Sequence, residues 1–168
     1  AGLPEIGAAA LEARRIEAGT PVYGVDMTAD TIPLEAGIEQ RAISTTKGCY
    51  VGQEIVVRIL HRAHGRVARR IVGLVADAAE LVPGTSVYAD GREVGIVTSA
   101  EWSPALGSRV ALAMVHRDAF DAGTFVVLGG ASGPVATVRE LLAPDGVFIS
   151  ESHYLLDLID TLQYDTIY

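Results

Sequence analysis

Lys47-Gly48-Cys49-Tyr50-Val51-Gly52-Gln53-Glu54 is the stretch of this chain best equipped for chemistry. It holds the single cysteine among 168 residues. A lysine stands two residues before the thiol, and an amide and a carboxylate follow it. The thiolate is the reactive form of cysteine, and a nearby ammonium and the free N–H groups of a helix start both favour it. Cys49 is therefore expected to be reachable by solvent, with a lowered thiol pKa. The plain alternative is a small buried hydrophobe, a common role for a free cysteine. Gly48 and Gly52 allow backbone angles or close approaches that a Cβ would forbid.

Positioning these residues requires a helix directly after Gly52. Ile55, Val56, Ile59 and Leu60 recur at helical spacing, which predicts a helix running to about His61. Gln53 and Glu54 then fall in its first turn, where a carboxylate suits the positive dipole end. Glu54 and Arg58 stand i,i+4 in the favourable acid-before-base order. The most basic part of the chain follows, with Arg58, Arg62, Arg66, Arg69, Arg70, His61 and His64. No acidic residue falls between Ile55 and Ala76. An anion site and a solvated basic face both fit that pattern. His61 and His64 alone are weak as metal ligands.

Upstream, the alanine-rich run Ala8 to Ala18 predicts a helix, with Gly19 at its left-handed end and Pro21 stopping it. Val22 to Val25 reads as a short strand, Asp26 to Pro33 as a turn-rich loop, and Ile38 to Ser44 as extended chain. Asp26, Asp30 and Glu35 lack the partners and spacing of a metal site, so none is assigned. Downstream, six short strands are expected: Val67–Val75, Ser86–Tyr88, Glu93–Ser99, Ser108–Val115, Thr124–Leu128 and Val135–Leu141. Asp90-Gly91 is a hairpin signal. Ser103–Gly107 reads as a loop, and Trp102 as packing at a barrel edge or a stacking surface. The fold class is α+β, ending in a small antiparallel barrel.

Composition is that of a globular chain, with 49% apolar and 20% charged residues. A formal net charge of −8 argues against generic nucleic-acid binding. One cysteine excludes an internal disulfide and fits a reducing, cytoplasmic setting. No apolar run is long enough to span a bilayer, and no signal peptide is expected.

Lys-Gly-Cys-Tyr-x-Gly-Gln-Glu resembles the signature of the folate-binding YgfZ-type proteins, relatives of the glycine-cleavage aminomethyltransferase (T-protein). Arg15-Ile16-Glu17-Ala18-Gly19-Thr20-Pro21, Thr31-Ile32-Pro33-Leu34-Glu35-Ala36 and Val94–Ser99 are similar to further segments of the same family. The resemblance runs from about Gly2 to Leu141. It implies a truncated folate-binding α/β domain over residues 1–66, its C-terminal part only, and a six-stranded antiparallel β-barrel over residues 67–141. It implies tetrahydrofolate, or a folate derivative, as cofactor. Glu17 would take the pterin ring, with Lys47, Tyr50, Gln53 and Glu54 as further folate contacts and Cys49 as the functional thiol. It also implies a role in iron–sulfur cluster assembly or repair, with iron–sulfur proteins or their assembly factors as partners and a link to tRNA modification. Two alternatives stand beside it: an aminomethyltransferase of the glycine cleavage system, and a non-catalytic interaction module. The resemblance further implies that the chain starts inside the folate region, so any folate site is partial.

Residues 142–168 break from the rest. They hold five acidic residues, four aromatics and no lysine or arginine. This stretch resembles an internal piece of a sugar C-methyltransferase, and Leu155, Leu156, Leu158, Ile159 and Leu162 predict one amphipathic helix. It is expected to be dispensable to the fold.

Overall fold

The computed structural model describes residues 5–44, 46–62, 65–77, 80–130 and 132–139. The expectations for the tail, for His64 and for the end of the last strand at Leu141 lie outside them. Among the described residues, three α-helices come first: α1 (Ala8–Glu17), α2 (Glu39–Ala42) and α3 (Gln53–Arg62). Six strands follow: β1 (Arg69–Ala76), β2 (Ser86–Ala89), β3 (Arg92–Ser103), β4 (Ser108–His116), β5 (Phe125–Leu128) and β6 (Val135–Arg139). They close into an antiparallel barrel in the order β1-β4-β3-β2-β5-β6. β1 seals it by pairing with both β4 and β6.

The barrel interior is filled by Val72, Leu74, Val87, Val97, Ala111, Ala113, Val115, Val126, Leu128 and Val138. The alternate positions of β1 and β4 are buried too. Ile71, Val110 and Leu112 face outward and are covered by Ile16 of α1 and by Ala36. Burial on both faces explains why β1 alternates only loosely in sequence. Ile16 is fully buried here, which is worth about 2–3 kcal/mol for a side chain of its size.

α1 ends as its sequence predicts. Gly19 stands at φ 57, and the Thr20 and Gly19 amides donate to the Arg15 and Ile16 carbonyls in a Schellman arrangement. Two expectations fail. Val22–Val25 is not a strand: the Val25 and Asp26 amides donate to the Val22 carbonyl, and a lone bridge joins Tyr23 to Met27. Ile38–Ser44 contains the short helix α2 rather than extended chain, because the Arg41 and Ala42 amides both donate to the Ile38 carbonyl. β3 also runs on through Trp102 to Ser103, so the predicted loop shrinks to Pro104–Gly107. Trp102 is half-exposed on that strand, opposite Arg109.

An ion pair between part-buried Arg15 and fully enclosed Asp26 ties α1 to the barrel. Arg15 uses all five of its N–H donors: Nε and Nη2 on Glu12, Nη1 on Asp26 at 2.8 Å and on the Thr20 carbonyl, and Nη2 on Ser99 Oγ at 2.7 Å. Asp26 is equally complete. It accepts from Arg15 and the Val22 amide on Oδ2, and from the Thr98 and Ser99 hydroxyls, each at 2.6 Å, on Oδ1. Neighbouring strand residues normally point to opposite faces. A bulge between Val97 and Ser99 in the pairing with β4 lets both hydroxyls reach one carboxylate oxygen.

The Arg15 hydrogen bond holds the Glu12 carboxyl below its ordinary value of 4.5, against the burial that raises it. A carboxylate whose pKa is lowered by folding stabilises the fold above its unfolded value. That contribution disappears as pH falls through the folded value. Glu12 is 40% exposed in its side chain, so the effect is small. Glu12→Gln is expected to lower stability by about 0.5 kcal/mol at pH 7, with the gap to the parent closing as pH drops below 4.5. Urea melts of both proteins across pH 3–7 check it; a gap that persists unchanged at low pH contradicts it.

Candidate functional site

Gln53 shapes the signature loop. Its side-chain oxygen accepts the Tyr50 amide at 3.1 Å, and its own amide donates to the Tyr50 carbonyl. The turn between them passes through Gly52 at φ 84, the left-handed region where glycine is favoured. α3 starts at the next residue. Gly48 is different. Its φ is not positive, and an added Cβ would meet nothing within 4 Å. Within this chain the backbone explains Gly52 but not Gly48.

Cys49 is exposed. It lies at one end of a groove of about 520 Å3 lined by Cys49, Tyr50, Gln53, Glu54, Val57, Arg58, His61 and Arg62. Lys47 lies over the Tyr50 ring at 4.9 Å, a cation–π contact. Glu54 and Arg58 form the expected i,i+4 pair at 2.8 Å. α3 is anchored through Val56, packed with Leu34 and Val67 and flanked by Ile59 and Leu60. Its other side is open: Ile55 and Val57 are exposed, and Val51 just before it is fully so.

Glu17 sits elsewhere, at the last turn of α1 against the end of β3. Oε1 accepts the hydroxyl of fully buried Ser103 at 2.6 Å, and Oε2 accepts Arg14 at 3.0 Å. Its side chain is 12% exposed. Four of the five predicted folate contacts and the thiol therefore cluster around the signature loop and α3, while Glu17 is held on the barrel flank. Glu35 and Arg69 pair at 3.1 Å and join the loop before α2 to β1. Among the described residues, no three His, Cys, Asp or Glu side chains gather as a metal site would need.

Sequence reading missed the Asp26–Ser99–Thr98 network and Ser103. The signal was present, since Thr98-Ser99 puts two hydroxyls side by side inside an apolar strand. It also treated Arg58, His61 and Arg62 as a basic run rather than as one wall of a groove.

Residues 69–139 match the glycine cleavage T-protein C-terminal barrel domain. The chain is 38% identical over 115 residues to an aminomethyltransferase of Corynebacterium aurimucosum, covering 68% of this chain and 30% of that protein. It is 39% identical over 116 residues to one from Nostoc, covering 68% and 30%. It is 34% identical over 124 residues to one from Staphylococcus carnosus, covering 73% and 33%. The chain thus spans about a third of the length of the curated relatives it matches. Its fold is similar to the crystal structure of glycine cleavage system aminomethyltransferase T from Bartonella henselae, with a TM-score of 0.68 and 24% identity over 83% of this chain and 39% of that one. These relatives carry the aminomethyltransferase name, so the alternative fits them better than the YgfZ-type reading. No helix among the described residues is long and apolar enough to cross a membrane.

The two loop glycines are expected to respond differently. Gly52→Ala forces a Cβ into left-handed backbone at a cost of about 1–2 kcal/mol, whereas Gly48→Ala meets neither strain nor clash and is expected to leave the melting temperature nearly unchanged. Thermal melts of the two variants check this; equal losses contradict the turn geometry.

Proposed function

We propose that this chain supplies the barrel and the adjoining helices of a tetrahydrofolate-dependent protein of the aminomethyltransferase type. One observation carries the proposal. The 115-residue match is longer than the stretch from Arg69 to Tyr168, so it reaches back past the barrel into α3. The likeness therefore takes in part of the groove wall as well as the barrel.

The residues present fit a folate. Each carboxylate oxygen has two acceptor sites, and each Glu17 oxygen has one protein partner described, Ser103 or Arg14. Glu17 thus keeps capacity for two N–H groups from the aminopyrimidine edge of a pterin. When bound, tetrahydrofolate accepts the one-carbon unit. Glu17 would orient the ring, and Ser103 and Arg14 would hold Glu17.

A second reading draws on exposed Cys49 at the groove end. It is the YgfZ-type role in iron–sulfur cluster support and tRNA modification, with Cys49 as a redox thiol, a nucleophile or a transient ligand. Iron–sulfur clusters usually need four thiolates, so a ligand role would draw the others from a partner.

Calorimetric titration with tetrahydrofolate tests the main proposal. Weak but saturable binding is expected, reduced about ten-fold by Glu17→Gln through loss of a charge-assisted contact. Cys49→Ser is expected to leave that binding intact. No saturable heat at millimolar ligand, or binding indifferent to Glu17→Gln, would sink it.

A further inference from the structure

We propose that Ser103 aims the Glu17 carboxylate, as a positioning residue whose single hydroxyl proton is committed to it; this deepens the folate reading above and rests on it. Ser103 is the last residue of β3 and is fully buried. A serine hydroxyl has one proton to give and two acceptor sites. The Leu106 amide, in the turn that follows, donates to Oγ at 3.1 Å. The proton of Oγ goes to Glu17 Oε1 at 2.6 Å, the short range of an O–H donor on a carboxylate. Solvent does not reach this hydroxyl, so the two partners set its direction.

Glu17 needs such a partner. It stands in the last turn of α1, where the helix dipole disfavours a negative charge. Arg14 reaches its other oxygen at 3.0 Å, but from a side chain that is 65% exposed and i,i+3 on the same helix. An exposed pair of that kind holds its geometry weakly. The Ser103 contact comes from β3, 86 residues away in the sequence, and ties the carboxylate to the barrel. Two parallel hydrogen bonds from an aminopyrimidine edge need both carboxylate oxygens at one fixed attitude. Closing the turn through Leu106 uses only the acceptor side of Oγ. The proton is left over for Glu17, so the turn alone does not account for a hydroxyl at this position.

The test titrates the full chain with tetrahydrofolate in a double-mutant cycle of Ser103→Ala and Glu17→Gln. Ser103→Ala is expected to weaken binding about ten-fold, through loss of a hydrogen bond to a charged group. In the Glu17→Gln background the same substitution is expected to add little, because Ser103 acts through the carboxylate. Thermal melts check that each variant is folded. If Ser103→Ala is not, Ser103→Cys takes its place in the cycle, since a thiol is only a weak donor. A loss that is equally large with and without Glu17 makes Ser103 a structural residue only and overturns the inference. Binding that Glu17→Gln weakens and Ser103→Ala leaves unchanged overturns it too, with the folate reading still standing. A parent chain that shows no saturable binding removes both.

Discussion

The pairing of Arg15 with Asp26 is the constraint on which the arrangement of this molecule depends. Burying two charges is costly, and it is tolerated only when every donor and acceptor finds a partner. Here both groups are complete, through partners from α1, the following loop and β3. Glu12 and Asp26 hold the Arg15 proton more tightly than usual, with the Glu12 hydrogen bond the larger cause and burial opposing it. Lysine could not replace Arg15, because a compact ammonium lacks the five-donor fork. The bulge in β3 is the complementary adaptation on the barrel. It gives up regular pairing at Thr98 so that two hydroxyls meet the carboxylate.

This fixed point sets where Glu17 lies. Glu17 is two residues beyond Arg15 on the same helix, and Ser103 holds it four residues beyond Ser99 on the same strand. The helix and the strand are thus joined twice, and the Glu17 carboxylate has little freedom to turn. α3 is attached by a different kind of contact. One buried residue, Val56, meets Leu34 and Val67, and among the described residues no buried ion pair backs it. The molecule therefore offers a rigidly held carboxylate on the barrel flank and a more lightly anchored helix that carries the thiol and the arginines. The open side of α3 exposes Ile55 and Val57 beside Arg58 and Arg62.

Local signals in the sequence were sufficient for much of this. Gly19, Pro21 and Gly52 mark helix ends because their backbone requirements are local. The six strands follow from turn residues such as Asp90-Gly91, and the barrel follows from their number and spacing. What was not legible depended on distant partners. The double burial of β1 and β4 needs α1 to lie on them, and apolar runs of that kind do not reveal which helix does so. Val22–Val25 looked like a strand because it is apolar and β-branched, yet it turns back to place Asp26 on Arg15. The role of Asp26 itself was invisible, since its partners at Thr98 and Ser99 lie more than 70 residues away. Glu17 was legible only through family resemblance. Its hydrogen bond to Ser103 again joins distant parts of the chain.

Hydrogen exchange on Asp26→Asn tests the central claim most directly, because the substitution preserves size while removing the charge that Arg15 requires. Breaking a fully buried pair commonly costs about 3–5 kcal/mol; Arg15 is part-buried, so a smaller loss is expected, and it should fall on what the pair joins. The α1 amides and the 20–26 loop are expected to lose protection by more than about ten-fold, while the amides of β1 and β4 that pair across the barrel keep theirs. If α1 stays as protected as in the parent protein, Arg15 and Asp26 do not hold the helix to the barrel, and the placement of Glu17 must rest on something else.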